Sequence, residues 1–459
     1  VAILYQHKIR EQLHLIEKKE KRPFISWTEE WNNVDPVYFF SLGPICSFRE
    51  RFFWADRTNE TVYVGLGCTY VIETEEKEDR FHTVETKWKQ WIGQTAFYSN
   101  KTETVPILFG GFSFDPYKPR TEKWRAFPHA KMVVPAVLLT SKGGKATLTV
   151  TVRSGQSAET MEKIEMLFHL LHEERAPLHS LPSLMKYEEI QTEQWLNAVK
   201  QTIAKIRVGK FDKVVLAREA RLSFADWVEA SAVLGQLREQ QPFSYLFAFE
   251  QEGQCFIGAS PEQLVKKEGD ACYSTCLAGS IRRGKTVQED EQFGEWLLRD
   301  GKNLHEHRFV VQMIKEAMEA VCERVDMPPS PQLLKLPNIQ HLYTPVVGEH
   351  CRVSSILSLV EKMHPTPALG GTPREAAVKE IRKVEPLDRG WYAAPIGWMD
   401  TKGNGEFAVA IRSGLLQGQD VSIFAGCGIV GDSDPISEYE ETKVKFTPML
   451  SALGVGQDE

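Results

Sequence analysis

The chain predicts an α+β body with a large antiparallel component. Alternating β-branched runs fill much of the first 160 residues, and amphipathic helical periods alternate with apolar strand runs after about residue 190. At 459 residues and 52.2 kDa, the chain is long enough for one large or two intimate domains.

Composition narrows the class. Hydrophobic residues at 42% and charged residues at 25% exclude wholesale disorder. A net charge of −7 and a pI near 6.0 argue against a nucleic-acid binder, and the longest charge run, Glu17-Lys18-Lys19-Glu20-Lys21-Arg22, is mixed in sign. No apolar run reaches membrane-spanning length, and Val1-Ala2-Ile3-Leu4 running into His7-Lys8-Ile9-Arg10 does not read as a secretory signal, so a cytoplasmic protein is expected. The eight cysteines are scattered, with only Cys272 and Cys276 close together, and free thiols are the expectation.

Val62-Tyr63-Val64-Gly65-Leu66 and Thr147-Leu148-Thr149-Val150-Thr151-Val152 read as strands. Met161, Ile164, Leu167, Phe168 and Leu171 recur at helical spacing and predict a helix over 160–174. Pro177 and Pro182 mark a linker over 175–186 between a strand-rich segment, 1–180, and a catalytic segment, 185–459, with which the first is expected to merge into one body. His169, His172 and His179 cluster here without a carboxylate or thiol partner and read as ordinary histidines. Ile190, Trp195, Ala198, Val199, Ile203 and Ile206 then mark an amphipathic helix, followed by the strand Lys213-Val214-Val215-Leu216-Ala217.

Several polar residues sit where they need partners. Lys213 opens an apolar strand. It is either a solvated edge lysine or, in a closed cleft, a candidate base. Glu262 follows a strand at a turn and is either exposed or a carboxyl kept protonated by its surroundings. After Asp300, the residues Phe309, Val310, Met313, Ile314, Ala317, Met318 and Val321 form an apolar helical stripe. Glu306 lies in line with that stripe, either frayed into water near the first turn or buried and in need of a counter-charge. Ser433-Asp434-Pro435 opens another helix, on which Glu438, Glu441 and Lys445 share a face. That face is either a solvated ion-pair network or a site for a hard cation. Arg412 after the strand Phe407–Ile411, and the glycines of Phe424-Ala425-Gly426-Cys427-Gly428, are compatible with an anionic ligand but lack dinucleotide spacing.

Motifs over roughly 185–455 resemble the chorismate-utilising enzymes, and within them the isochorismate synthases. They are Phe211-Asp212-Lys213-Val214-Val215-Leu216-Ala217-Arg218, Gly258-Ala259-Ser260-Pro261-Glu262, Ala278-Gly279-Ser280-Ile281-Arg282-Arg283-Gly284, His305-Glu306-His307 and Gln340-His341-Leu342. The series continues with His364-Pro365-Thr366-Pro367-Ala368-Leu369-Gly370-Gly371-Thr372-Pro373, Ala408-Val409-Ala410-Ile411-Arg412-Ser413, Phe424-Ala425-Gly426-Cys427-Gly428-Ile429-Val430 and Glu438-Tyr439-Glu440-Glu441-Thr442.

The resemblance implies two facing sheets flanked by helices with the site between them. It implies magnesium on Glu306 and Glu441, with Glu438 beside them, holding the ring carboxylate of chorismate. Tyr392, Arg412, Gly426 and Lys445 match positions around the pyruvyl carboxylate; Gly279, Ser280 and Ala368 match the ring wall; His341 matches a histidine beside metal and ring. Lys213 matches the lysine that activates water for attack at C2, and Glu262 the acid that protonates the departing C4 hydroxyl. This scheme calls for a neutral amine facing a protonated carboxyl. Ala278 stands where aminodeoxychorismate synthases carry a nucleophilic lysine, and Ala368 where anthranilate synthases carry threonine, so water is the implied nucleophile. Asn303 departs from relatives that often have a carboxylate there, and Phe109-Gly110-Gly111-Phe112-Ser113-Phe114-Asp115-Pro116 resembles a segment of the shared fold. The length favours the menaquinone-specific enzymes over those of siderophore synthesis. A salicylate synthase and a non-catalytic chorismate binder are the other readings. No glutamine amidotransferase subunit, nucleic acid or membrane partner is expected.

Overall fold

The computed structural model describes residues 2–31, 34–99, 105–171, 180–335 and 339–456. Their strands join in one network of 21. A long arm runs from Thr95–Ser99 through Phe24–Trp31, Lys145–Arg153, Ala130–Lys142, Thr61–Thr74, Arg51–Ala55, Tyr245–Gln251, Gln254–Ser260, Ser413–Gln417, Asp420–Ile429 and Lys213–Phe224 to Leu184–Ile190. A second arm leaves Ala130–Lys142 through Ile107–Phe112, then passes Pro395–Asp400, Gly405–Val409, Gln263–Glu268 and Ala271–Arg282 to Ile339–Glu349. Every pairing except Phe24–Trp31 with Thr95–Ser99 is antiparallel. The two arms fold into facing layers: Tyr63 meets Trp398 at 4.8 Å between ring centroids, and Tyr245 Oη donates to Glu406 at 2.8 Å.

Side-chain alternation explains why the layers close. Phe52 and Trp54 point into the space between them, where Phe52, Phe109, Phe249 and Trp391 form an aromatic interior. Phe53 and Ala55, one residue out of phase, face a second core under the helices Pro36–Ser41, Ala230–Gln240 and Pro435–Ala452. Each fully buried aromatic contributes about 2–3 kcal/mol of transfer free energy to this closure.

Some boundaries depart from expectation. The predicted 160–174 helix is Ser157–Leu170, and the next helix is Thr192–Arg207. Ile190 ends the strand Leu184–Ile190 instead of opening that helix, because Gln191 adopts a left-handed conformation (φ 54°) between the two. The predicted linker therefore ends before residue 184; residues 172–179, which include His172, His179 and the start of that linker, lie outside the described residues. The free-thiol expectation fails at one pair: Cys322, just past the helix Gly301–Glu319, and Cys351, just past the strand Ile339–Glu349, are joined in a disulfide, while six cysteines are free. The two element ends meet through the backbone, Arg352 N–H donating to the Val321 carbonyl at 2.8 Å, and this brings together sulfurs 29 residues apart. No helix among the described residues is long and apolar enough to cross a membrane.

Candidate active site

Lys213 begins the strand Lys213–Phe224 between the end of Asp420–Ile429 and the short strand Gly371–Thr372. Its side chain is 6% exposed, and its Nζ donates to Glu306 Oε1 at 2.5 Å. Room for that amine comes from Gly428, where a Cβ would stand 2.6 Å from Lys213 Cε. Glu306 sits in the second turn of Gly301–Glu319, capped by Asp300, which accepts from Asn303 N–H. Burial pushes the Glu306 carboxyl upward, but Lys213 first, then Lys445 and Lys302, bring it below the ordinary carboxylate range. The solvated reading of both residues therefore falls. Here the Lys213 amine and the Glu306 carboxylate face each other as an ion pair.

Glu262 is different. It follows the strand Gln254–Ser260, its backbone N–H donating to Ser260 Oγ at 3.2 Å. No ion pair or side-chain hydrogen bond is among the causes that act on its carboxyl. Burial raises it to about 7 against the opposing charges of Lys213, Arg412 and Lys445. A carboxyl that stays half protonated at neutral pH near three cations is suited to giving up a proton.

The helix Pro435–Ala452 opens as predicted, Asp434 accepting from the N–H groups of Ile436 and Ser437. Lys445 Nζ reaches Glu441 at 2.5 Å and the Gly426 carbonyl at 2.9 Å. Glu438 is buried and accepts from Ser433 Oγ at 2.7 Å; burial raises its carboxyl, and the like charge of Glu441 raises it further. This helix is tied to the Lys213 strand by Arg218, whose Nε donates to Thr442 Oγ1 at 2.6 Å and whose guanidinium lies 4.4 Å from the Tyr439 ring centroid.

The wall lies on the second arm. Ser280 pairs with His341 across the strands Ala271–Arg282 and Ile339–Glu349, and Ser280 Oγ lies 2.6 Å from His341 Nδ1. Burial first, then Arg412, lowers His341 to about 4, so the ring is neutral at physiological pH. The pairing skips a step between Leu277 and Ser280, and in this bulge Gly279 is left-handed (φ 83°), which glycine adopts without a Cβ clash. Arg412 is itself left-handed (φ 50°), its carbonyl accepting from Ala259 N–H at 3.1 Å. Burial depresses the guanidinium, and the nearby Tyr392, Glu262 and Glu441 oppose that. Burial likewise raises the Tyr392 phenol to about 12, and a Cβ on Gly426 would lie 3.4 Å from its Oη. Ala368 is half-buried in the turn after His364. That turn is fixed to the Lys213 strand: Val215 N–H donates to the Gly370 carbonyl at 3.0 Å.

Three contributors act in ways the sequence did not announce: Gly428 and Ser433 lie in motifs read for other roles, and Arg389 and Glu385 gave no signal. Gly428 makes space for the amine, Ser433 holds Glu438, and a buried Arg389–Glu385 pair braces the strand after Lys213. Glu385 accepts from Ala217 N–H at 2.7 Å, while Arg389 donates to the carbonyls of Val215 at 2.8 Å and Leu369 at 3.0 Å.

The carboxylates Glu306, Glu438 and Glu441 supply the hard oxygen donors that magnesium prefers, and two of them are close enough to repel each other, so the donor set fits a divalent cation. They are not drawn to a single point. Among the described residues, the only group of three or more His, Cys, Asp and Glu ligand atoms within 4.8 Å of one another is Cys272, Cys322 and Cys351. Each carboxylate is instead held by a neighbour: Lys213, Ser433 or Lys445.

Comparison with known proteins identifies the family. Residues 9–454 match the family model described as chorismate binding enzyme. The chain is 44% identical to isochorismate synthase MenF of Bacillus subtilis, with 98% of each chain covered. It is 36% identical to the salicylate biosynthesis isochorismate synthase of Pseudomonas aeruginosa over 92% of this chain and 90% of that protein. Among solved structures, the menaquinone-specific isochorismate synthase MenF of Escherichia coli superposes with a TM-score of 0.79 at 25% identity, covering 96% of this chain and 98% of that one. Anthranilate synthase component I of Streptococcus pneumoniae, at 20% identity and a TM-score of 0.67 over 94% and 93% of the chains, shares the fold. The chain thus belongs to the chorismate-binding enzyme family.

Proposed function

We propose that this chain is an isochorismate synthase, converting chorismate to isochorismate, and that it serves menaquinone synthesis. The observation that carries the chemistry is the buried, proton-retaining Glu262 within the field of Lys213, Arg412 and Lys445. The relative named MenF, matched end to end at 44% identity, supports the pathway.

In this reading, Lys213 Nζ takes a proton from water as the water oxygen bonds to C2. The ring double bonds shift, the C4–O bond breaks, and Glu262 supplies the proton that lets the hydroxyl leave as water. One water enters and one departs, so the sum is an isomerisation. Hydroxide is a poor leaving group, which is why a proton donor is needed. Arg412, Lys445 and the Tyr392 hydroxyl hold the pyruvyl carboxylate, and Gly279, Ser280 and Ala368 shape the ring wall. Neutral His341, fixed by Ser280, lies against the ring carboxylate. Glu306, Glu441 and Glu438 would hold a magnesium ion, which would supply positive charge to balance the ring carboxylate.

Chromatography of products after incubation with chorismate and magnesium tests the reading. Isochorismate as main product is expected. Salicylate with pyruvate would replace it by a salicylate synthase, and binding without conversion by a chorismate-binding protein.

A further inference from the structure

His307 follows Glu306 in the sequence but faces the opposite way. It is 2% exposed, and both ring nitrogens are engaged. Nδ1 lies 2.9 Å from the Ala278 carbonyl, and Nε2 lies 2.7 Å from Thr344 Oγ1. A carbonyl can only accept, so Nδ1 carries the hydrogen and Nε2 accepts from the threonine hydroxyl. The Cys276 thiol, 3.4 Å from Nδ1, can donate instead to the His307 carbonyl at 3.7 Å, leaving the Nδ1 hydrogen to Ala278.

Ala278 is one of the two residues that the strand pairing skips at the bulge. The other is Gly279, where a Cβ would meet Asn303 Cβ and Oδ1 at 3.1 Å, so the first turn of the Glu306 helix rests on that glycine. The next residue, Ser280, holds His341. Helix and wall thus meet at the bulge in two places, Asn303 against Gly279 and His307 on Ala278, and of these two only the second is a directional bond; Thr344 and Cys276 hold His307 from the flanking strands.

We propose that His307 is a positioning residue: through its Nδ1–H bond to the Ala278 carbonyl, it fixes the distance between Glu306 and the Gly279–Ser280–His341 wall. The inference rests on the reading of Glu306 as a cation carboxylate. Glutamine at 307 can imitate Nε2 and reach Thr344 but loses the bond to Ala278, whereas asparagine can imitate Nδ1 and keep it.

The test is calorimetric titration of the full chain with Mg2+, alongside the KM for chorismate. His307→Gln is expected to weaken Mg2+ binding at least about tenfold, as loss of outer hydrogen bonds does elsewhere, and His307→Asn to recover it to within about threefold. Equal affinities in His307→Gln and wild type, or equal losses in the two variants, would overturn the proposal. If circular dichroism shows His307→Gln unfolded, Thr344→Val carries the test. It removes the hydroxyl from Nε2 but keeps the imidazole and its Nδ1–H bond to Ala278, so Mg2+ binding within about threefold of wild type supports the proposal and a loss of about tenfold or more overturns it. Glu306→Gln separates the two readings. Binding lost there but kept in His307→Gln overturns the positioning role alone; binding kept in both overturns the cation assignment with it.

Discussion

Two side chains with opposite duties are distinguished by their surroundings. Glu262 is buried without an ion-pair partner and is pushed up to about 7, whereas Glu306, half-buried, is held below the ordinary carboxylate range against its burial by Lys213, which touches it. The proposed acid works only when protonated. As pH rises through about 7, kcat/KM is therefore expected to fall, and Glu262→Gln to lower kcat by about 10²–10⁴-fold. A wild-type profile flat from pH 6 to 9 would count against this assignment. Lys213→Ala is expected to abolish turnover while chorismate binding, followed by equilibrium dialysis, stays close to wild type. Gly428→Ala probes the same amine from its other side: the added methyl overlaps Lys213 Cε, so kcat should drop sharply while the melting temperature moves little. A near-normal rate in either variant would mean that another group acts as base.

Single elements show what a sequence can reveal. The helix Gly301–Glu319 was legible because its stripe is periodic and Asp300 is a good cap, and the helix at Pro435 for the same local reasons. What those helices face was not. Glu306 finds its lysine 93 residues away, and the bulge at Ala278-Gly279 exists only because the partner strand runs past it one step short. Family motifs marked these residues without supplying their contacts. The strand Leu184–Ile190 was misread because its side chains are mostly exposed and carry no burial rhythm. Arg389 and Glu385 gave no pattern at all, yet their side chains are 3% and 1% exposed and hold the Lys213 strand to the Ala368 turn. Removing one charge strands the other. Glu385→Ala is expected to cost about 3–5 kcal/mol in chemical denaturation, and a loss under 1 kcal/mol would show that the brace is dispensable.

At the scale of the whole molecule, the cysteine count offers a direct check on the packing of element ends. Unfolded in denaturant without reductant, the protein should titrate six thiols, and all eight after reduction. Eight in both conditions would mean that Cys322 and Cys351 are not bonded. The layered aromatic interior is equally open to test: Phe249→Ala, which empties a site shared by both layers, should cost about 3–5 kcal/mol. The ladder that joins Arg51–Ala55 to Tyr245–Gln251 bears on how the protein is made. An early hairpin must wait, one edge bare, until much later chain has left the ribosome. Its apolar Phe-Phe-Trp run is then open to capture by chaperones, or by other nascent copies, until that later strand emerges.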